Sequence, residues 1–149
     1  MIQLKSPREI DMMAEGGRIL AATLDIVRAA VRPGVSTAEL DAIAEEFIRR
    51  HEGALPAFKG LYGFPATLCT SVNNEIVHGI PSRQRVLREG DIVSIDVGVK
   101  YKGYYTESAA TVPVGAVDET TRRLLDVTQR ALDAGISAAV AGNHVGDIG

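Results

Sequence analysis

Residues 92–111, IVSIDVGVKYKGYYTESAAT, constrain this chain more than any other stretch. Val93, Ile95, Val97 and Val99 alternate with Ile92, Ser94, Asp96 and Gly98. A period of two over 92–99 puts the valines and Ile95 on one face of a strand. Lys102-Gly103 then fits a two-residue hairpin turn, because glycine at the second turn position accepts a left-handed backbone. That turn sets Gly98 opposite Glu107 and Ala109 opposite Asp96. In this register the two acids are diagonal neighbours on one face, their α-carbons about 7–8 Å apart. Gly98 and Ala109 beside them are small and leave a hollow.

Two anionic carboxylates sharing a hollow repel unless something neutralises them. A shared proton would raise one pKa. An Arg or Lys partner would serve as well. So would a pair of bridging divalent ions, which sit about 3.5–4 Å apart in two-metal hydrolases. A wet, solvent-facing pair needs none of these, and spacing alone does not decide among the four. His78, in IVHGIP, is by itself a packed or surface histidine. Beside a cation site, a neutral imidazole there would also donate to a carbonyl or move a proton.

The remaining elements are signalled in turn. Ser6, Pro7 and Glu9 form a helix start with a capping box, and Ile10, Met13, Gly17, Leu20, Leu24, Val27 and Val31 recur at spacings of three and four. Gly17 on that stripe implies close approach of another backbone, and Arg32-Pro33-Gly34 ends the helix. Ser36 and Glu39 repeat the capping box for a second helix that buries Leu40, Ile43, Ala44, Phe47 and Ile48. From Ala54 to Pro81, short apolar runs among Gly, Pro and Asn read as strands and turns, with VNNEIV as a hairpin. A third helix runs from a cap at Asp118 through Leu124, Leu125, Ala131, Leu132 and Ile136. Asp147 resembles a further helix N-cap. The expectation is that an element continues beyond it, with a frayed tail as the alternative.

A net charge of −3 without a basic stripe argues against direct nucleic-acid binding. The single cysteine, Cys69, cannot make an internal disulfide, which fits a reducing compartment. The opening MIQLKSPREI has no apolar signal stretch, and no apolar run approaches the ~20 residues needed to span a bilayer. A cytoplasmic protein with no membrane partner is expected.

The blocks GFPATLCTSVNNEIVHGIPS and EGDIVSIDVGVKYKGYYTESAATVPVG, with SPREIDMMAEGGRIL before them, resemble type I methionine aminopeptidases over the whole chain. The resemblance implies an α+β fold, half of a pita-bread architecture: an antiparallel sheet with helices packed on one face. It implies that residues 1–149 are the N-terminal half of the catalytic domain, with the C-terminal half missing. It implies removal of the initiator methionine by a hydrolase with two divalent ions (Mn, Fe, Co or Zn). Its partner would be a nascent peptide beginning with Met, with the ribosome nearby. Carried over by position, Asp96 and Glu107 would be metal ligands. His78 would contact substrate and assist proton transfer, and Phe58, Phe64 and Cys69 would wall the methionine pocket.

The sequence departs from that family pattern at three places. Glu107 stands where the family has Asp, and Leu61 where it has Tyr. The family's remaining ligands, a His and two Glu, are absent, and His144 is not assigned to them. Two carboxylates are too few for a hard cation that takes about six donors. The chain alone is therefore expected to be inactive. The alternatives are a non-catalytic half-fold that self-associates or binds a partner, and a metal-free creatinase-like relative.

Overall fold

The computed structural model describes residues 3–149. Helix α1 spans Pro7–Ala30 and α2 spans Thr37–Arg49. Each starts in a reciprocal capping box: the Ser6 and Ser36 hydroxyls accept from the backbone N–H of Glu9 and Glu39, whose carboxylates reach back to the serine N–H. These boxes satisfy donors that a helix start leaves orphaned. The buried face of α1 is Gly16, Ile19, Leu20, Thr23, Leu24 and Val27. It lies about one position away from the stripe expected from apolar residues alone. Ile10 is 54% exposed, and the residue in close approach is Gly16, not Gly17. A Cβ on Gly16 would stand 3.2 Å from Tyr101 Cβ, whereas nothing lies within 4 Å of Gly17. Thr23 is buried because its hydroxyl donates to the Ile19 carbonyl at 2.7 Å, which makes a polar residue compatible with the core.

The sheet is antiparallel and centred on β3 (Ile92–Tyr101). Strand β4 (Tyr104–Pro113) runs along one side of β3, joined to it by Lys102-Gly103 with φ values of 47° and 93°, the left-handed pair of a tight hairpin turn. The other side of β3 is shared end to end. There β1 (Ala54–Pro56) pairs with residues 99–101, and β2 (Leu68–Val72) with residues 93–97. Val93, Ile95, Val97 and Val99 are fully buried, and with α1, α2 and β2 they make the core. Burying this apolar face, at about 25 cal/mol per Å², favours closing the helices onto the sheet.

Between β2 and β3 the expected VNNEIV hairpin does not form. Asn73 turns left-handed (φ 57°), its N–H donates to Ile92 O at 3.0 Å, and its Oδ1 accepts from Ile92 N at 3.0 Å. The Glu75 carboxylate takes the Val72 N–H at 2.7 Å. Glu75 thus satisfies the Val72 N–H that a second strand would have used, Asn73 ties the turn to β3 instead, and Ile76 and Val77 are left in solvent.

The chain divides between Ala116 and Val117 into two units. In the second, α3 (Glu119–Ala138) starts at an Asp118 cap that accepts from Thr121 N at 2.8 Å, and no residue of the helix is buried. Val145–Asp147 form a 3₁₀ turn, and the Asp147 carboxylate accepts from His144 N at 2.7 Å. Among the described residues, no helix is long and apolar enough to cross a membrane.

Candidate active site

The hairpin register is the one its sequence dictates: Asp96 faces Ala109 and Gly98 faces Glu107. On the other side of β3, Cys69 pairs with Asp96. Alternation therefore puts Cys69, Asp96, Gly98, Glu107 and Ala109 on the face of the sheet away from the core. The space over Gly98 is filled. A Cβ there would lie 2.7 Å from Phe58 Cε1 and 2.9 Å from Ala57 Cβ. Glycine at this position lets the Phe58 ring lie against the strand.

Phe58 belongs to segment 57–67, which leaves the sheet after β1 and returns at β2. The opposite wall carries His78, whose backbone is left-handed at φ 59°, a conformation of modest cost for a non-glycine residue. Gly79 holds that conformation: its carbonyl accepts from Thr70 N at 2.8 Å, and its N–H donates to Ser71 Oγ at 3.1 Å. Between the two walls lies a cavity of about 530 Å³, lined by Phe58, Phe64, Cys69, His78, Asp96 and Glu107 together with Leu61, Tyr62, Gly63, Pro65 and Ile80. A few polar groups set in an apolar hollow of this size form the usual frame of a small-ligand site.

The electrostatics are one-sided. Burial, and then the Glu107 charge, raise the pKa of Asp96, with His78 opposing. Burial, then Asp96, Glu107 and Asp41, push the Cys69 thiol from 9.0 up to about 11, so it is neutral and a poor nucleophile near pH 7. Asp96 Oδ1 is buried without a hydrogen-bond partner. Among the described residues, no Lys or Arg forms an ion pair with either acid. A buried carboxylate oxygen with no donor calls for a cation or a proton. The donor set thus fits a hard divalent ion, but as part of a shell: among the described residues no three His, Cys, Asp or Glu side chains are grouped so that they alone could hold a metal ion.

All six residues singled out from the sequence line this one cavity. Tyr62, Gly63, Pro65 and Ile80 line it in addition. Ile80 was legible two residues after His78, but Tyr62 and Pro65 reach the site only through the excursion of segment 57–67.

A family model described as metallopeptidase family M24 matches residues 11–149. The methionine aminopeptidase of Clostridium perfringens (strain 13 / Type A) is 49% identical over 148 residues, which are 99% of this chain and 59% of that relative. Methionine aminopeptidase 1 of Bacillus subtilis (strain 168) is 48% identical over 148 residues, again 99% and 59%. The solved methionine aminopeptidase from Thermotoga maritima superposes with a TM-score of 0.89 at 38% identity, covering 94% of this chain and 55% of that one. The α+β architecture, an antiparallel sheet with α1 and α2 on one face, is the pita-bread fold over that span. The chain spans about three-fifths of the length of the curated relatives it matches.

Proposed function

The chain belongs to metallopeptidase family M24, and from that premise we propose that it takes part in removing the N-terminal methionine from newly made polypeptides. The observation that carries this reading is the pairing of Asp96 and Glu107, unneutralised, at one side of an apolar cavity that also holds His78. Asp96 and Glu107 would hold divalent ions; carboxylate and imidazole donors accept Mn, Fe, Co or Zn. A divalent ion held by these carboxylates would supply Lewis acidity toward the scissile carbonyl and would acidify water near it.

The chain's own residues do the rest. Phe58, Phe64 and Cys69 receive an unbranched, polarizable methionine side chain, which packs well against aromatic and sulfur surfaces. The Cys69 thiol stays neutral and serves as wall. His78 orients the scissile carbonyl and donates a hydrogen bond to its oxygen as negative charge develops there. The 149 residues act as the N-terminal half of the catalytic domain. A second half supplies the donors that complete the cation shell, and without it the chain is inactive. The work is done in the cytoplasm on peptides leaving the ribosome, which agrees with a lone unpaired cysteine.

A second reading, a non-catalytic half-fold that self-associates, draws on α3, where Leu124, Val127, Leu132 and Ile136 are all exposed. The test mixes the purified chain with the complementary C-terminal portion of the Clostridium perfringens relative in the presence of Mn²⁺. Release of Met from a Met-Ala-Ser peptide by the mixture, absent with the chain alone and lost in His78→Ala, is expected. A folded, metal-loaded mixture that releases no Met overturns the proposal, and an apo, inactive dimer supports the second reading.

A further inference from the structure

Segment 57–67 supplies most of the apolar lining of the cavity, yet it contributes little to the core. Leu61 is exposed, and Tyr62 lies wholly in solvent with a left-handed backbone. Its internal bonds are local, such as Gly60 N to Phe64 O at 2.8 Å and Leu61 N to Phe58 O at 2.9 Å. They shape the loop without fixing where it sits.

At its start, Ala57 N donates to Gly98 O at 2.9 Å and Phe58 rests on Gly98; beyond that, its attachment comes from the helix behind it. Asp41 Oδ1 accepts both Thr67 N and Leu68 N, each at 2.8 Å, where the loop returns to the sheet. One turn further along α2, Glu45 binds Lys59 Nζ at 2.6 Å near the loop's start, and Arg49 Nε at 2.9 Å steadies that carboxylate from its own helix. Positions 41 and 45 are i and i+4 and share a helix face. Two acids on one helix thus grip both ends of the loop. Asp41 is half-buried, and burial is the largest influence on its carboxyl, raising its pKa against the two N–H bonds that lower it. Holding a carboxylate in such a place costs free energy, and the two backbone donors account for its presence.

We propose that Asp41, seconded by Glu45 through Lys59, is a positioning residue that holds segment 57–67 closed over Cys69 and Asp96 and so sets the depth of the cavity's apolar wall. As a statement about substrate fit, this rests on the reading of the cavity as the seat of a methionine side chain. As a statement about the loop, it stands on geometry alone. Cys69, the single thiol in the chain, lies on the floor beneath the loop at 6% exposure, and its accessibility reports whether the loop is open.

The experiment is the rate at which methyl methanethiosulfonate modifies Cys69 in the full chain, measured with and without low urea. Asp41→Ala leaves two backbone N–H groups without their acceptor and should speed modification roughly 10- to 100-fold. Asp41→Asn keeps an oxygen that accepts both bonds and should stay within about threefold of wild type. The Asn variant also removes the charge that helps suppress the thiolate, so it controls for a change in Cys69 acidity. The acceleration should depend on urea far less steeply than global unfolding does, because a loop opening exposes little surface. Equal rates for the Ala and Asn variants, or an acceleration with the urea dependence of global unfolding, overturn the proposal. Should Asp41→Ala fail to fold, Lys59→Ala decides, since it removes only an exposed side chain. Modification several-fold faster than wild type supports the clamp, and an unchanged rate overturns it. The measurement needs neither metal nor catalysis, so a chain that never releases methionine still passes or fails it.

Discussion

Replacing Gly79 with alanine tests how His78 is held at the site. A Cβ on Gly79 would overlap the Thr70 carbonyl oxygen and lie 2.8 Å from the Thr70 carbonyl carbon and 2.9 Å from Ser71 Cα. These are backbone atoms of a buried strand, so no rotamer change relieves the overlap and the 78–79 segment must move off β2. Two hydrogen bonds are lost with it, Thr70 N to Gly79 O and Gly79 N to Ser71 Oγ. At about 0.5–1.5 kcal/mol each, the loss is about 1–3 kcal/mol. It should not exceed this by much, because the loop buries little: Ile76 is 88% and Val77 65% exposed. Relief of the left-handed backbone at His78 offsets part of the cost. Urea unfolding followed by circular dichroism should show a stability loss of about 1–3 kcal/mol, while the Thr70 amide exchanges roughly 10- to 100-fold faster with solvent. A Thr70 amide as protected as in wild type would refute the close approach. A loss well above about 4 kcal/mol would show that the segment belongs to the core.

Three other perturbations probe the same cavity. Gly98→Ala sets a methyl against Phe58 Cε1 and Ala57 Cβ and should cost about 1–3 kcal/mol by overpacking; with Phe58→Ala added, the two effects in urea unfolding should sum to less than their separate values. The fold favours the neutral Cys69 thiol, so the unfolded chain ionises first. Its contribution is full below pH 9.0, is lost as pH rises from 9.0 towards about 11, and is level beyond. Unfolding curves at about pH 8 and about pH 11 should show a decline of roughly 2 kcal/mol in wild type that Cys69→Ala lacks, and equal declines would reject the assignment. Glu107→Asp shortens the carboxylate arm by one methylene and should tighten Mn²⁺ binding in a titration; unchanged or weaker binding would mean that the backbone around β4 has adapted to glutamate.

The parts of the fold that were legible in the sequence are those set by local rules. The period of two in 92–99 and the Lys102-Gly103 turn fix the β3–β4 register, and the capping boxes at Ser6 and Ser36 fix two helix starts. Asp96 and Glu107 could be placed as neighbours for that reason. Where long-range contacts decide, the reading fell short. Gly16 rather than Gly17 meets Tyr101, and Thr23, its hydroxyl satisfied by Ile19 O, joins the buried face that apolar spacing alone does not mark. VNNEIV has strand-like composition, but the Glu75 carboxylate takes the Val72 N–H and Asn73 binds the backbone of Ile92 instead. Asp41 sits within a helical pattern where nothing marks it as the anchor of a loop 26 and 27 residues away.

The proposed cation site at Asp96 and Glu107 is tested most directly by Mn²⁺-induced broadening of the amide spectrum, which detects even weak binding. In wild type, broadening should centre on the amides of Cys69, Asp96, Gly98, Glu107 and Ala109, and in Asp96→Asn it should vanish. Broadening that spreads over the surface carboxylates instead, or that persists unchanged in Asp96→Asn, would contradict the account.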